Sequence, residues 1–315
     1  MSDIAWYVLF SAFVLDFLLG DPLWLPHPVV GMGNAISFFE IRFRRILKNP
    51  FVSGLFFALF LISATFALSF ALVKLAVFIH PLLGTCVQVV LLFYCFSATS
   101  LVQAAKAVAR PLEACDLETA RKKVAMIVGR ETRNLDEAAV TRAAVETVAE
   151  NFVDGFLSPL FFALLFGVPG ALAYKMINTL DSMVGYKNES YILFGRASAR
   201  IDDAANFIPA RISVLVIFLA ACILSVPKGI RALKTGISQG RQHKSPNAGY
   251  PEASFSGALG IRMGGPNVYH GQWVDKPYIG GQFADPDIHG IFRACELMQL
   301  SALIATLAAC GLAFV

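Results

Sequence analysis

Six apolar runs, each close to the length needed to cross a lipid bilayer, limit this chain more than any other feature. They are Ile4 to Gly20, Phe51 to Val73, Leu75 to Leu101, Gly155 to Tyr174, Phe207 to Val226 and Leu297 to Val315. The hydrocarbon core takes roughly 20 apolar residues in helical form. Composition agrees: of 315 residues 57% are hydrophobic and only 15% charged, against about a quarter charged in soluble domains. The expected class is an all-α, polytopic integral membrane protein with about five to six hydrophobic segments, one membrane-embedded domain over residues 1–315. Ser2 and Asp3 supply no basic leader and Asp21-Pro22 stands where small residues would mark cleavage, so the first run reads as a retained anchor.

Short-loop Lys and Arg residues set the orientation. Nothing basic precedes the first run, whereas Arg42, Arg44, Arg45 and Lys48 follow it, which puts the N-terminus outside and residues 21–50 in the cytoplasm. The second and third runs form a hairpin around His80-Pro81 and return the chain to a cytoplasmic helical segment, residues 102–154. The net charge of +4 suits a neighbour of anionic lipid, and no basic run interleaved with aromatics suggests nucleic acid. Six cysteines without a C-x-x-C pair read as buried free thiols.

Within residues 102–154, Leu117, Ala120, Val124 and Ile127 keep helical spacing with Gly129 as a C-cap. Asn134 followed by Glu137 predicts a second helix from about Leu135. That helix carries Arg142, Glu146 and Glu150 on one face and leads through Asn151 and Asp154 into the fourth apolar run. Pro159 and Gly167-Val168-Pro169-Gly170 interrupt this run, which predicts a broken or re-entrant helix whose freed backbone groups need a cavity or a ligand. Residues 227–296 are rich in Gly, Pro and Asn and read as an irregular loop. In it, Gly264-Gly265-Pro266-Asn267 could cradle an anion through backbone N–H groups.

Ionisable residues at bilayer depth are costly and usually mark function. Asp16 either snorkels from a helix end or forms, with Asp21 and His27, one wall of a polar site. Asn178 and Asp181 lie three apart on a helix, and Asp202 and Asp203 are adjacent, with Asn206 and Arg211 following. Carboxylates of this kind suit Mg²⁺, which takes one or two of them together with substrate phosphates, so Asp154, Asp181, Asp202 and Asp203 are the candidate metal ligands. Arg130, Lys187, Arg196 and Arg211 could neutralise phosphate oxygens.

The strings DFLLGDP, GRETRNL, RAAVETVAENFVDGFLSPLFF, YKMINTLDSMVGYKNE, ARIDDAANFIPAR and SPNAGYPEASFSGALGIRMGGPN resemble those of the adenosylcobinamide-phosphate synthase family, the CbiB/CobD type of cobalamin biosynthesis. One departure is the Glu131 carboxylate where the family pattern has Asp. The resemblance implies an inner-membrane ligase that joins adenosylcobyric acid to an aminoalcohol or its O-phosphate, such as 1-aminopropan-2-ol O-phosphate, using ATP and Mg²⁺. Other membrane enzymes of late cobalamin assembly are the implied partners. Glu146, Glu150, Asn151, Asp154, Asp181 and Lys187 are then the candidate catalytic residues. Arg130, Arg196, Arg211, Gly264, Gly265 and Asn267 would bind ATP, with Asp16, Asp21, His27, Glu131 and Asn178 lining the site. A sensor paralogue without catalysis, or a permease, are the rival readings.

Overall fold

The computed structural model describes residues 4–21, 26–186, 188–269 and 272–314. In chain order the helices are α1 (Trp6–Leu19), α2 (Pro28–Ile46), α3 (Pro50–Ile79), α4 (Pro81–Phe93), α5 (Ala98–Glu113), α6 (Leu117–Val124) and α7 (Glu137–Phe152). A π-helical turn, Val153–Leu157, follows. Then come α8 (Ser158–Val184), α9 (Arg196–Ala205), α10 (Phe207–Leu224), α11 (Val226–Gln239), α12 (Gly249–Leu259) and α13 (His289–Phe314). Four short strands, β1 (Met263–Gly264), β2 (Asn267–Tyr269), β3 (Gln272–Val274) and β4 (Tyr278–Ile279), make two antiparallel pairs, β1 with β4 and β2 with β3.

Five helical segments among the described residues are long and apolar enough to cross a membrane: Pro50–Ile79, Pro81–Glu113, Glu137–Val184, Arg196–Leu224 and His289–Phe314. The multi-pass all-α expectation therefore holds. Leu68 and Phe78 of α3 are 72% and 88% exposed, a cost in water that a lipid surface removes. The first expected span differs. α1 has 14 helical residues, about 21 Å at 1.5 Å per residue and short of the hydrocarbon thickness, because Gly20 ends it with φ 61 and ψ −150.

The chain folds as two compact units: residues 1–97, 154–206 and 306–315 form unit 1, and residues 98–153 and 207–305 form unit 2. In unit 1, α3 packs against α2, α4, α8 and α9. Phe57, fully buried, meets Phe43 and Phe194 at centroid distances of 5.8 and 5.2 Å. The hairpin at His80 is as expected, with the imidazole Nδ1 accepting from the Leu82 N–H at 3.1 Å. The expected helix break is at Gly167, where φ 68 and ψ −169 interrupt α8 two residues before Pro169. Such a backbone conformation is almost closed to other residues.

In unit 2, α10, α11 and α12 pack together, α12 also touches α7, and α5 packs on α6 and α7. The α11–α12 crossing is close because Gly236 and Gly257 leave room: a Cβ there would come within 2.3 Å of Ser254 Oγ and 2.5 Å of the Arg231 carbonyl oxygen. Residues 227–296 are thus not irregular throughout. Pro227 and Pro251 fall in the first turns of α11 and α12, where no intrahelical N–H is required, and Gly260 in the left-handed conformation closes α12. The turn residues punctuate helices there. α6 stops at Val124, before Gly129, and the N-cap of α7 is Asp136, whose side chain accepts from the Ala139 N–H at 2.7 Å. Asp136 sits closer to the apolar run than Asn134 and presents the same acceptor. Of the six free cysteines, Cys95 and Cys295 are buried but Cys86 and Cys115 are exposed.

Candidate functional site

Unit 1 gathers its polar groups along α8, α9 and the π-helical turn, a geometry frequent at functional sites. Asn206 is the hub. Its Oδ1 accepts from Ser158 Oγ at 2.6 Å and Tyr174 OH at 2.8 Å, and its Nδ2 donates to Asp202 Oδ2 at 3.1 Å. The other Asp202 oxygen, Oδ1, is buried with no hydrogen-bond partner. Asp181 and Asp203 lie within electrostatic reach of Asp202, with Asn178 beside it. A second group surrounds the Lys175 ammonium, which lies near Cys95, Asp21, Asp154 and Asp16. Asp16 is fully buried, so it does not snorkel. His27 Nε2 stands 3.5 Å from Asp21 Oδ1. The structure thus brings His27 beside Asp21, and Asp21 and Asp16 within electrostatic reach of Lys175. Arg196 is exposed at the start of α9. Lys187 lies outside the described residues.

Unit 2 encloses a cavity of about 260 Å³ between α7, α12 and the segments around residues 127–130, 242–244 and 264–277. Glu146 is held at both oxygens: the Arg130 guanidinium donates to Oε2, and the Gly264 N–H donates to Oε1 at 2.5 Å. Gly264 and Gly265 have φ of 74 and 86, the conformation that turns this N–H toward the carboxylate. The donor that could have met an anion thus meets the protein's own acid. Asn267 donates to the Gly265 carbonyl at 3.0 Å. Glu150 and Asn151 line the same cavity, one turn beyond Glu146. Glu131 is exposed in a shallow cleft with Arg133. Arg211 is held by the fold, donating to the Phe207 carbonyl at 2.6 Å and stacking over the Phe207 and Tyr250 rings at 3.4 and 4.5 Å. Arg142 turns to Asp285 at 2.7 Å and does not line the cavity.

Four ionisable cavity residues were absent from the sequence-based set: His243, Lys244, Glu252 and Lys276. His243 Nε2 lies 3.9 Å from Glu252 Oε1, and Glu252 is only 4% exposed. Burial, then the charges of Glu146 and Glu150, raise the Glu252 carboxyl well above the ordinary carboxylate range, opposed by Lys276 and Arg130. Burial, and then the Lys276 ammonium, lower His243 below its ordinary value. Burial disfavours the charged form of each group.

The family model described as CobD/Cbib protein matches residues 9–298. The chain belongs to the CobD/CbiB family. It is 47% identical over 97% of its length to a cobalamin biosynthesis protein CobD of Klebsiella pneumoniae, of which 95% is covered. It is 44% identical over 99% of both chains to a cobalamin biosynthesis protein CbiB of Salmonella typhimurium, and 46% identical over 95% of its length to a CobD of Geobacter metallireducens, 96% covered. No solved structure matches the chain. The family's blocks divide between the units: DFLLGDP, NTLDSMVGYK and ARIDDAAN lie in unit 1, GRETRNL and SPNAGYPEASF in unit 2. Glu252 stands inside that last block, which was the one sequence signal that could have marked it.

Proposed function

We propose that this CobD/CbiB member acts in cobalamin biosynthesis as an ATP-dependent acid–amine ligase. It would join adenosylcobyric acid to an aminoalcohol or its O-phosphate, of the 1-aminopropan-2-ol type, giving adenosylcobinamide or its phosphate. The names of its relatives support the pathway. The observation that carries the chemistry is the unit 2 cavity, where Arg130, His243 and Lys276 share walls with Glu146, Glu150 and Glu252. A site with both signs of charge suits an amine and a phosphate together.

A carboxylic acid does not condense with an amine at neutral pH without activation. Phosphoryl transfer from ATP to a carboxylate oxygen yields an acyl phosphate and ADP; the amine nitrogen then bonds to the acyl carbon as the carbon–oxygen bond to phosphate breaks. Arg130 and Lys276 would balance phosphate charge. Asp181 and Asp202, with Asp203 and Asp154 nearby in unit 1, would hold Mg²⁺. The donor set fits, since Asp202 Oδ1 is a buried hard oxygen that accepts no close hydrogen bond, with Asn178, Asp181 and Asp203 near it. Among the described residues no group of three or more His, Cys, Asp or Glu side chains is arranged around a metal position, and Mg²⁺ commonly uses one or two carboxylates, completing its sphere with water and phosphate. When bound, the ion supplies charge neutralisation on phosphate oxygens.

Purified protein in detergent should form product from adenosylcobyric acid and 1-aminopropan-2-ol O-phosphate only with ATP and Mg²⁺ present. Equal product with EDTA and no nucleotide overturns the ligase reading. The same proposal puts the chain in the cytoplasmic (inner) membrane with its N-terminus outside. A membrane-impermeant thiol reagent should then fail to label a lone cysteine introduced at exposed Glu118 of α6 in intact cells.

A further inference from the structure

Glu146 and Glu252 share the unit 2 cavity but are held differently. Both oxygens of Glu146 are engaged, by Arg130 and by the Gly264 N–H, so neither is poised to take a proton. Glu252 is 4% exposed, its Oε1 lies 3.9 Å from His243 Nε2, beyond hydrogen-bond reach, and it lines the cavity. It faces Glu146 and Glu150 of α7, Arg130, His243 and Lys276. A volume of about 260 Å³, just under the roughly 300 Å³ at which pockets for drug-sized ligands begin, suits a small amine.

We infer that this cavity is the amine subsite of the ligase proposed above and that Glu252 is the proton acceptor for the ammonium group of the incoming aminoalcohol phosphate. The inference rests on that ligase reading. An alkylammonium cannot attack an acyl carbon until its nitrogen lone pair is free. One proton passes from nitrogen to the Glu252 carboxylate, leaving the neutral amine. The nitrogen lone pair then forms the C–N bond, and the acyl C–O electron pair leaves with phosphate. The second nitrogen proton departs on that phosphate, as hydrogen phosphate. The proton on Glu252 then passes to solvent. Burial, then the charges of Glu146 and Glu150, raises Glu252 above the ordinary carboxylate range, so its ionised form takes up a proton more readily than an exposed carboxylate does. Arg130 and Glu146 shape the wall without exchanging protons.

The test compares two nucleophiles on full-length protein in detergent. Hydroxylamine is largely unprotonated at neutral pH and traps an activated carboxyl as a hydroxamate without needing a base. Glu252→Gln should lower kcat with 1-aminopropan-2-ol O-phosphate by about a hundredfold or more, and the low-pH limb of the wild-type profile should vanish. Hydroxamate formation should stay near the wild-type rate. Glu252→Asp, which keeps the carboxylate, should restore part of the amine reaction and the limb. Equal loss of both reactions in Glu252→Gln, with no recovery in Glu252→Asp, assigns Glu252 to folding or activation and overturns the inference. Unchanged amine turnover in Glu252→Gln overturns it too. Wild-type protein that makes neither product, with ATP and Mg²⁺ supplied, overturns instead the ligase reading on which the inference stands.

Discussion

The polar groups of the two units are held in opposite ways. In unit 1 they bind one another: Ser158 and Tyr174 donate to Asn206, which donates to Asp202, and Lys175 lies among Asp16, Asp21 and Asp154. In the unit 2 cavity Glu146 is locked by Arg130 and the Gly264 N–H, while Glu252 and His243 line the same cavity 3.9 Å apart. A network whose members are bonded to one another inside long apolar helices can fix the position of a cation or a backbone break. Titratable groups buried beside a cavity are placed to exchange protons with something that enters. The difference suggests a division of labour, positioning by the first set and proton transfer by the second.

The sharpest way to break that comparison is to remove charge from unit 1 while keeping shape. Asp181→Asn, Asp202→Asn and Asp154→Asn should each lower ligase turnover by about a hundredfold or more, with each protein still folded and membrane-inserted. Turnover at limiting Mg²⁺ is the measurement. Wild-type rates in all three would reduce the unit 1 acids to structural partners of Lys175 and Asn206.

The lock in unit 2 gives the next effect. The Arg130 and Glu146 side chains are 11% and 7% exposed, so Glu146→Gln leaves a buried guanidinium without its counter-charge, at a cost of about 3–5 kcal/mol. Thermal unfolding in detergent should show the loss. The double change Arg130→Met with Glu146→Met should recover much of it, because no charge is then stranded. If single and double variants melt together, the pair is not what holds the Gly264 turn.

The sequence made the helical membrane fold legible, because apolar runs and their interruptions are local signals. The break at Gly167 followed from Gly-Val-Pro-Gly, and the Glu146–Glu150 stripe from an i, i+4 spacing. What stayed hidden was long-range. Glu252 lies 106 residues beyond Glu146, in a stretch whose glycines and prolines read as loop although they cap α11 and α12. His243 and Lys276 carry no spacing that ties them to Arg130. Lys175 stands alone in an apolar helix, and its surroundings depend on where Asp16 and Asp21 fold back. Burial decided these cases, and one-dimensional patterns do not report it for isolated polar residues.

Gly167→Ala probes the unit 1 scaffold with a smaller expected effect. At φ 68 and ψ −169 an added Cβ is strained, and a loss of about 1–3 kcal/mol is expected. Thermal unfolding again reports it. A melting temperature equal to the parent's would mean that α8 straightens without cost and that the break positions nothing.

The smallest effect belongs to the exposed edge of unit 2, where Asp285 accepts from Arg142 at 2.7 Å and from Arg262 at 3.1 and 2.5 Å. The Arg262 hydrogen bonds, and further the Arg142 charge, lower the Asp285 carboxyl below its ordinary 3.8. A folded-state value below the unfolded one means that the unfolded chain binds more protons between the two, so stability rises with pH there. The contribution is present above the ordinary carboxylate range and lost as pH falls through the lowered value. Asp285 is 41% exposed, and solvent screening limits the contribution to about 1 kcal/mol or less. Asp285→Asn should therefore melt slightly below the parent at neutral pH and converge with it in acid. Glu252→Gln should behave in the opposite sense. Because Glu252 is raised above 4.5, the parent loses stability as pH climbs from that value toward the folded one, and the amide variant does not. If both variants shifted with pH in the same direction, the contrast between an ion-paired edge and a buried cavity acid would be wrong at one of the two residues, and the sign of the shift would say which.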